Sequence, residues 1–449
     1  MREKLHRLRR LAGMDAQVFP TLLLRGWQVF AGGAMVLFIP LWLGKVEQGY
    51  YYTFSSLLGL QIFFELGMSQ VIIQLVSHDF AYIRIAGSAT LEGDAIRIDR
   101  LASFVTLLRR WYGIAASLFF LIVSIGGLLF FSKKGELPIS TWGGAWLLLA
   151  LCAAVNLYFD ASLNILQGCG EVAPVARMRL MQSVSGNILM WIALTLGTHL
   201  WAIPLVSLTA ALYTGYWLRG NSVTIELLKK HTLTNESNAK INWRKDIFPF
   251  QWRIAISWIS GYFIFQLFTP LAFSKLGAVE AGRLGISMAV FSALLTVGMS
   301  WINAKLPEFA AHVSRRERAS LNALFNSVVK RSLGFTFISA AMIVIVVFTL
   351  TRLGITTIQR FAPLSVTICL AIATLANCFI FAAASYMRAH KEEPMMLVSV
   401  VAGVVTLVAA IIGSRYGVFV MMFLYALITV SLTLPWTIII FIRYYKRKI

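Results

Sequence analysis

The feature that most constrains the fold is a series of long apolar segments. Twelve stretches of spanning length carry few charged residues and are separated by polar connections. They are roughly residues 20–43, 50–76, 111–131, 143–166, 178–197, 201–218, 249–274, 281–304, 333–351, 361–386, 394–413 and 417–442. A helix crosses a bilayer with about 20 apolar residues, whereas barrel strands alternate apolar and polar residues. We therefore predict an all-α polytopic membrane protein with twelve transmembrane helices.

The composition agrees with this prediction. The chain has 449 residues, of which 58% are hydrophobic and only 13% are charged, whereas about 25% are charged in an average soluble domain. The net charge of +21 raises the question of nucleic-acid binding. However, the basic residues lie in short loops between predicted spans, where Lys and Arg mark the cytoplasmic side. We therefore expect no nucleic-acid partner.

The distribution of basic residues predicts the orientation. With the N-terminus inside, 31 of the 40 Lys and Arg residues lie on the cytoplasmic side, if Arg253 near the inner end of the seventh span is counted there. Eight lie on the other side, and Arg25 lies inside a span. This asymmetry predicts that both termini are cytoplasmic. The first apolar run is of spanning length without a small-residue cleavage site, so we read it as an uncleaved span.

The two halves of the chain share a sequence repeat. Residues 43–49 and 276–282 both read Leu-Gly-x-Val-Glu-x-Gly, and Gly-Met-Ser follows at 67–69 and at 298–300. Six predicted spans precede the polar stretch at residues 219–246, and six follow it. An even number of spans gives the two halves one orientation, as in a parallel internal repeat. We predict an N-terminal six-helix lobe (1–218), a cytoplasmic linker (219–246) and a C-terminal six-helix lobe (247–449).

The connection at residues 78–110 is longer than a turn requires. Asp94 could cap a helix whose apolar positions are Ile98, Leu101, Phe104, Val105 and Leu108. Arginines would occupy the opposite face of this helix. This pattern is typical of an interfacial amphipathic helix, either as a plain linker or beside lipid phosphates.

Four ionisable residues lie within predicted spans: Arg25, Glu65, Asp160 and Arg253. Such groups are costly in lipid and usually face a wet cavity or a charged partner. Arg25 and Arg253 occupy matching places in the two halves and could bind a ligand or snorkel to the interface. Glu65 and Asp160 lie too deep to snorkel, so we expect cavity or ion-coupling carboxylates, with a structural ion pair as the alternative. Polar uncharged residues on the spans, which could join helices or contact substrate, are Asn156, Asn164, Gln266, Asn303 and Asn377.

The sequence shows no sign of enzymatic or metal chemistry. The four cysteines lack metal-ligand spacing, the six histidines are scattered, and no nucleotide-binding or hydrolase motif is present. We therefore expect no catalytic residue, no metal site, no cofactor and no ATP-driven transport by this chain alone.

These features resemble the polysaccharide flippases of the multidrug/oligosaccharidyl-lipid/polysaccharide exporter (MOP) superfamily. The similar motifs are Leu43 to Tyr50 between the first two spans, Glu65-Leu66-Gly67 in the second span and Leu166-Gln167-Gly168 at the end of the fourth. The resemblance implies two lobes around a central cationic cavity in a bacterial inner-membrane protein. It also implies undecaprenyl-pyrophosphate-linked oligosaccharide as cargo, with a polysaccharide polymerase and glycosyltransferases as partners.

The residues fit this cargo independently. Lipid cannot solvate sugars and pyrophosphate, so their pathway needs a wet groove with positive groups. Because the planar guanidinium pairs with phosphate oxygens, Arg25 and Arg253 are the candidate pyrophosphate ligands.

Several alternatives remain open at this stage. A multidrug antiporter of the same superfamily would use Glu65 or Asp160 to couple protons or sodium. A major-facilitator sugar transporter also has six plus six helices, but its short turn after the second span is absent here. A membrane-bound polysaccharide polymerase or ligase needs large outer loops, whereas the outer loops predicted here are short. A membrane scaffold would not explain the carboxylates within the spans.

Overall fold

A computed structural model describes residues 18–86, 90–221, 223–230, 241, 243–390 and 394–446. The predicted basic N-terminal tail lies outside the described residues. So do part of the predicted linker (222, 231–240 and 242) and residues 391–393 of the turn after the tenth predicted span.

The described chain is almost entirely helical, with short 3-10 and π turns and one β-hairpin. Its strands are β1 (Ile83–Ala86) and β2 (Thr90–Gly93). Its α-helices are α1 (Val18–Trp42), α2 (Lys45–Leu58), α3 (Ile62–Glu65), α4 (Met68–Phe80), α5 (Ala95–Lys134), α6 (Ile139–Gly168), α7 (Val172–Thr195), α8 (Pro204–Asn221), α9 (Val223–Lys230), α10 (Phe248–Phe265), α11 (Phe268–Leu276), α12 (Ala278–Gly298), α13 (Ser300–Ser314), α14 (Arg318–Arg352), α15 (Leu364–Arg388), α16 (Met396–Gly413), α17 (Val418–Ile428) and α18 (Leu434–Lys446).

Many of these helices are long and apolar enough to cross a membrane. Among the described residues eight qualify by length and composition, or up to ten if each of two bent helix pairs is one span. Helices α7 and α8 are not in that set, but they coincide with the fifth and sixth predicted spans. The predicted all-α polytopic membrane fold is therefore confirmed, with a helix at each of the twelve predicted segments.

The repeated heptads begin two helices that pack against each other. Helix α2 starts at Lys45 and helix α12 at Ala278, the third residue of the heptad in both cases. The glycine that closes each heptad lies at the contact. A Cβ added at Gly49 would overlap the Ala278 carbonyl, and one added at Gly282 would press on the Gly49 backbone. The buried Gln48 side chain donates from Nε2 to the Gly282 carbonyl at 2.9 Å. Small residues thus bring the two backbones together, as at other membrane helix interfaces.

The repeated Gly-Met-Ser triplets mark interruptions in both halves. Helix α4 begins at Met68 after Leu66 and Gly67, whose φ angles of 50° and 69° are left-handed, and the chain bends by 45° there. In the second half, α12 ends at Gly298 and α13 begins at Ser300. The repeat therefore places a local irregularity at the same position in both halves. Only the first half bends there, because Met299 keeps helical dihedral angles and Ala278–Ser314 forms one candidate span.

The connection at 78–110 differs from its prediction. Asp94 does cap a helix, because its Oδ1 accepts the Ile96 N–H at 3.0 Å. However, the predicted apolar face is buried inside the protein, and the helix continues through the next span as α5, about 60 Å long. A separate interfacial helix is therefore the wrong interpretation. No glycine or proline stops the helix before Gly113, and protein covers its apolar stripe.

A β-hairpin that the sequence analysis did not predict precedes this helix. Strands β1 and β2 pair antiparallel in a two-stranded sheet, with Arg84 opposite Glu92.

The chain contacts define two compact units. The first comprises Met1–Ala31, Leu60–Ser132 and Pro138–Ala255. Its core includes Trp146, whose indole packs where a Cβ at Gly127 would otherwise sit and donates to the Ser124 carbonyl at 3.4 Å. Close packing of this kind stabilises helices that lipid alone would not press together.

The second unit comprises Gly32–Gly59, Lys133–Leu137 and Ile256–Ile449. One part of its core is an aromatic cluster in which Phe325, Tyr386 and Phe441 lie within 5.3 Å of one another between ring centroids. The two lobes and the linker predicted from the sequence repeat remain a prediction.

Candidate functional site

The break between α3 and α4 positions a carboxylate within the first unit. Glu65 is the last residue of α3, and the left-handed Leu66 and Gly67 turn the chain before α4 begins. The Ser69 hydroxyl, one turn later, donates to Glu65 Oε1. Ile254 of α10 packs on Gly67, where a larger residue would not fit. The local sequence therefore fixes Glu65 at a kink between helices.

A second carboxylate lies nearby on α6. Asp160 Oδ1 accepts from Arg179 Nη2 of α7 at 3.4 Å, and both side chains are about one-third exposed. Glu65 and Asp160 are near enough to repel each other electrostatically. The ion pair that the sequence analysis considered for these carboxylates is therefore found for Asp160, whereas Glu65 has a serine partner.

Two buried polar side chains complete the group. Tyr112 of α5 is fully buried, and its hydroxyl faces both carboxylates as well as Ser69 and Asn164. The Tyr112 hydroxyl and the Asn164 Nδ2 atom lie close to polar neighbours, but neither makes a hydrogen bond of normal geometry with a described residue. We call Glu65, Ser69, Tyr112, Asp160 and Asn164 the carboxylate cluster. Buried polar atoms without a partner usually indicate a water, an ion or a ligand.

The chemistry of the cluster suits a proton or a hard cation. Carboxylate, hydroxyl and amide oxygens are the ligands of hard cations, and two adjacent carboxylates can share one proton. No group of three His, Cys, Asp or Glu side chains that could hold a metal ion occurs in the part of the chain described above.

The turn after α6 carries no activated nucleophile. Burial, aided by the nearby charge of Glu171, raises the pKa of the Cys169 thiol to about 12. Burial also raises the pKa of the Glu171 carboxyl. A thiol with such a pKa is largely protonated at neutral pH and reacts slowly.

The two candidate phosphate-binding arginines are both exposed members of the first unit. Within the described part of the chain, Arg25 of α1 has one polar contact, from its Nη1 to Gln28 Oε1 at 3.4 Å. The Arg253 guanidinium of α10 lies 5.6 Å from the centroid of the Trp252 ring. Neither arginine forms an ion pair with any described residue, and no direct contact joins the two.

The sequence analysis found only part of this site. It placed Arg179 among the cytoplasmic charges, although its side chain reaches Asp160. It gave no role to Ser69 or Tyr112. Ser69 could have been found, because it belongs to the repeated Gly-Met-Ser triplet and lies one helical turn after Glu65. The role of Tyr112 could not be predicted from the sequence, because the neighbours of its side chain depend on how α5 packs.

The fold is similar to the folds of solved MATE and MurJ transporters. The structure superposes on an inward-facing multidrug resistance MATE family transporter with a TM-score of 0.58, at 13% identity over 97% of both chains. An outward-facing form of a MATE family transporter gives 0.54 at 14% identity, over 96% of both chains. The lipid II flippase MurJ, in an inward closed conformation, gives 0.57 at 15% identity, over 96% of this chain and 91% of that one. No protein-family model matches the sequence, and no curated protein matches it.

The comparisons confirm the predicted resemblance at the level of the superfamily fold. Drug transporters and a lipid flippase are similar to this chain to nearly the same degree. The choice between their activities therefore depends on the chemistry of this chain's own residues.

Proposed function

We propose that the protein flips undecaprenyl-pyrophosphate-linked oligosaccharide repeat units from the cytoplasmic to the periplasmic leaflet of a bacterial inner membrane. Transport would proceed by alternating access through a central cationic cavity. This proposal rests on the exposure and the unbalanced charge of Arg25 and Arg253. Both are exposed on apolar helices, and neither is neutralised by a described carboxylate. The likeness to a lipid II flippase supports a lipid-linked cargo.

An arginine within a membrane span is expensive unless it has a partner or reaches water. The one hydrogen bond of Arg25 is a long contact to a neutral amide, and Arg253 rests on an indole. These contacts leave most guanidinium N–H donors available. A pyrophosphate would supply several charged acceptors, and guanidinium binds phosphate oxygens through paired hydrogen bonds.

A variant series tests these two residues. Arg25 and Arg253 are each replaced by Ala, Lys and Glu, and surface polysaccharide is measured per unit of membrane-inserted protein. Alanine should accumulate lipid-linked repeat units on the cytoplasmic side. Lysine should rescue partly, because it keeps the charge but loses the paired geometry. Glutamate should be worse than alanine, because it repels pyrophosphate.

A matched control separates cargo binding from membrane anchoring. Arg352 stacks on Phe348 at 5.3 Å, much as Arg253 stacks on Trp252, so Arg352→Ala removes a similar contact and should leave polysaccharide unchanged. An anchoring arginine would tolerate lysine fully and lose protein level on change to alanine. Full activity of both alanine variants, singly and combined, would overturn the proposed role.

The carboxylate cluster is proposed as the site that couples transport to a proton or cation. Glu65→Gln and Asp160→Asn keep the size of each side chain but remove its charge. Both variants should insert normally and show reduced transport. Normal surface polysaccharide in both would contradict the coupling role. Loss of both proteins from the membrane would show that the charges serve folding, as the Asp160–Arg179 ion pair alone would suggest.

A multidrug antiporter of the same superfamily is the second candidate function. The carboxylate cluster and the likeness to MATE transporters favour it. Ion-driven efflux of cationic drugs, lost in Glu65→Gln and unaffected by Arg25→Ala, would establish it. A polysaccharide polymerase and glycosyltransferases are predicted as partners only if the protein is a flippase, and not if it is a drug antiporter.

A further inference from the structure

The helix α5 changes abruptly from a charged to an uncharged sequence between residues 110 and 111. Residues 95–110 include four arginines, whereas residues 111–131 carry no charge. The first part is about 24 Å long at 1.5 Å per residue. Trp111, the first residue of the apolar part, stacks on Trp243 with ring centroids 4.8 Å apart. Tryptophan is enriched at the membrane interface, so we infer that Arg109 and Arg110 lie at the level of lipid headgroups.

A cavity of about 310 Å³ opens beside these two arginines, within the first unit. It is lined by Thr106, Arg109 and Arg110 of α5 and by Tyr158 of α6. No carboxylate lines it. The volume accommodates a phosphate group together with several waters, each of which occupies about 30 Å³ in the liquid.

The two arginines earlier on the same helix, Arg97 and Arg100, form ion pairs with carboxylates. Arg97 Nη1 lies 3.4 Å from Asp79 Oδ1, and Arg97 Nε lies 3.3 Å from Asp94 Oδ2. Arg100 Nε lies 3.5 Å from Asp79 Oδ2. The carboxylates of Asp79 and Asp94 together therefore balance the charges of Arg97 and Arg100.

Among the described residues, Arg109 and Arg110 have no such partner. Across the described ranges, neither guanidinium makes a hydrogen bond or an ion pair, and the Tyr158 hydroxyl has no hydrogen-bond partner. The Thr106 hydroxyl donates to its own helix at Ala102, so its oxygen is left as an acceptor. As far as the described residues show, the cavity thus presents two unpaired cations and a hydroxyl donor, with no negative group.

We propose that this cavity is an anion site that binds the phosphate group of a membrane lipid. Two guanidinium groups and a phenol can donate to several phosphate oxygens at once, and charge-assisted bonds of this kind are the strongest in proteins. The site is distinct from Arg25 and Arg253 and does not depend on the transport proposal. Two lipids carry this chemistry: a resident anionic phospholipid, and the pyrophosphate of a lipid-linked cargo.

Lipid binding to the purified full-length protein tests the site directly. Affinities for phosphatidylglycerol and for undecaprenyl pyrophosphate are measured separately by native mass spectrometry in detergent. The variant Arg109→Gln/Arg110→Gln should bind one or both lipids at least about tenfold more weakly, because each charge-assisted bond contributes about that factor. The control Arg352→Gln/Arg415→Gln removes the same charge from two exposed arginines elsewhere and should change each affinity less than about twofold.

The outcomes identify the source of the phosphate. Weaker binding of phosphatidylglycerol alone would indicate a resident phospholipid, and weaker binding of undecaprenyl pyrophosphate alone would indicate a cargo contact. If the glutamine pair does not fold, Arg109→Lys/Arg110→Lys and Tyr158→Phe replace it, and each should weaken binding about threefold or more. Affinities for both lipids within twofold of the control would overturn the proposal.

Discussion

At the scale of single residues, the two halves of the chain use glycine where their backbones meet. Replacing Gly49 or Gly282 by alanine adds a Cβ that has no room beside the opposing backbone. Overpacking of this kind costs about 1–3 kcal/mol. We expect each variant to lower the thermal midpoint of the purified protein.

The chain offers matched controls for this prediction. Gly33 and Gly261 also lie inside helices, but a Cβ added there would meet no atom within 4 Å. Alanine at these positions should preserve or slightly raise stability, because glycine is the weaker helix former. If Gly282→Ala proves as stable as Gly33→Ala, the close packing of α2 on α12 is incorrect.

At the scale of elements, the break between α12 and α13 is supported by a neighbouring helix. The buried Ser332 of α14 donates from Oγ to the Gly298 carbonyl at 2.6 Å and lies 3.2 Å from Cys378 Sγ. Ser332→Ala should therefore destabilise the protein by about 1 kcal/mol, the usual net contribution of a hydrogen bond. Thermal unfolding of the purified variant measures this loss.

Ser431→Ala is the matched control. Its hydroxyl also donates at 2.6 Å, but the acceptor is the Leu427 carbonyl one turn earlier in the same segment, and the bond is exposed. We expect little change in stability there. Equal losses in the two variants would show that Ser332 has no special role at the break.

The sequence was most informative about the positions of the helices. The apolar segments located every long helix, because spanning length and low charge are properties of the chain itself. The repeated heptad located two helix starts, whereas the bend at the first Gly-Met-Ser triplet was not predicted, because both triplets lie inside continuous apolar segments. The fate of residues 95–110 could not be predicted, because an amphipathic stripe looks the same whether lipid or protein covers it. The hairpin β1–β2 was missed for a similar reason, since two four-residue strands carry little periodicity.

The candidate site was predictable in part. Depth along a span was enough to select Glu65 and Asp160, because charge in an apolar segment stands out. The contacts that decide their chemistry come from Arg179 and Tyr112 on other helices. Such contacts depend on helix rotation and packing, which one sequence does not specify.

At the scale of the whole molecule, the distribution of charge predicts the topology. Of 40 basic residues, 31 lie on the predicted cytoplasmic side, so both termini should be cytoplasmic. A periplasmic reporter fused after Ile449 should be inactive, whereas the same reporter inserted between Lys134 and Leu137 should be active. Reporter activity after Ile449 would reverse the assignment of sides.

We propose above all that this transporter-like fold moves a lipid-linked oligosaccharide and not a soluble drug. The most direct measurement uses proteoliposomes that contain the purified protein and an undecaprenyl-pyrophosphate-linked oligosaccharide. A membrane-impermeant lectin or oxidant reports the fraction of cargo in the outer leaflet over time. We predict that wild-type protein exposes the protected cargo, that Arg25→Ala/Arg253→Ala slows exposure severalfold, and that Arg352→Ala does not. Absence of cargo exposure by a protein that performs ion-driven efflux of a cationic drug would contradict the claim.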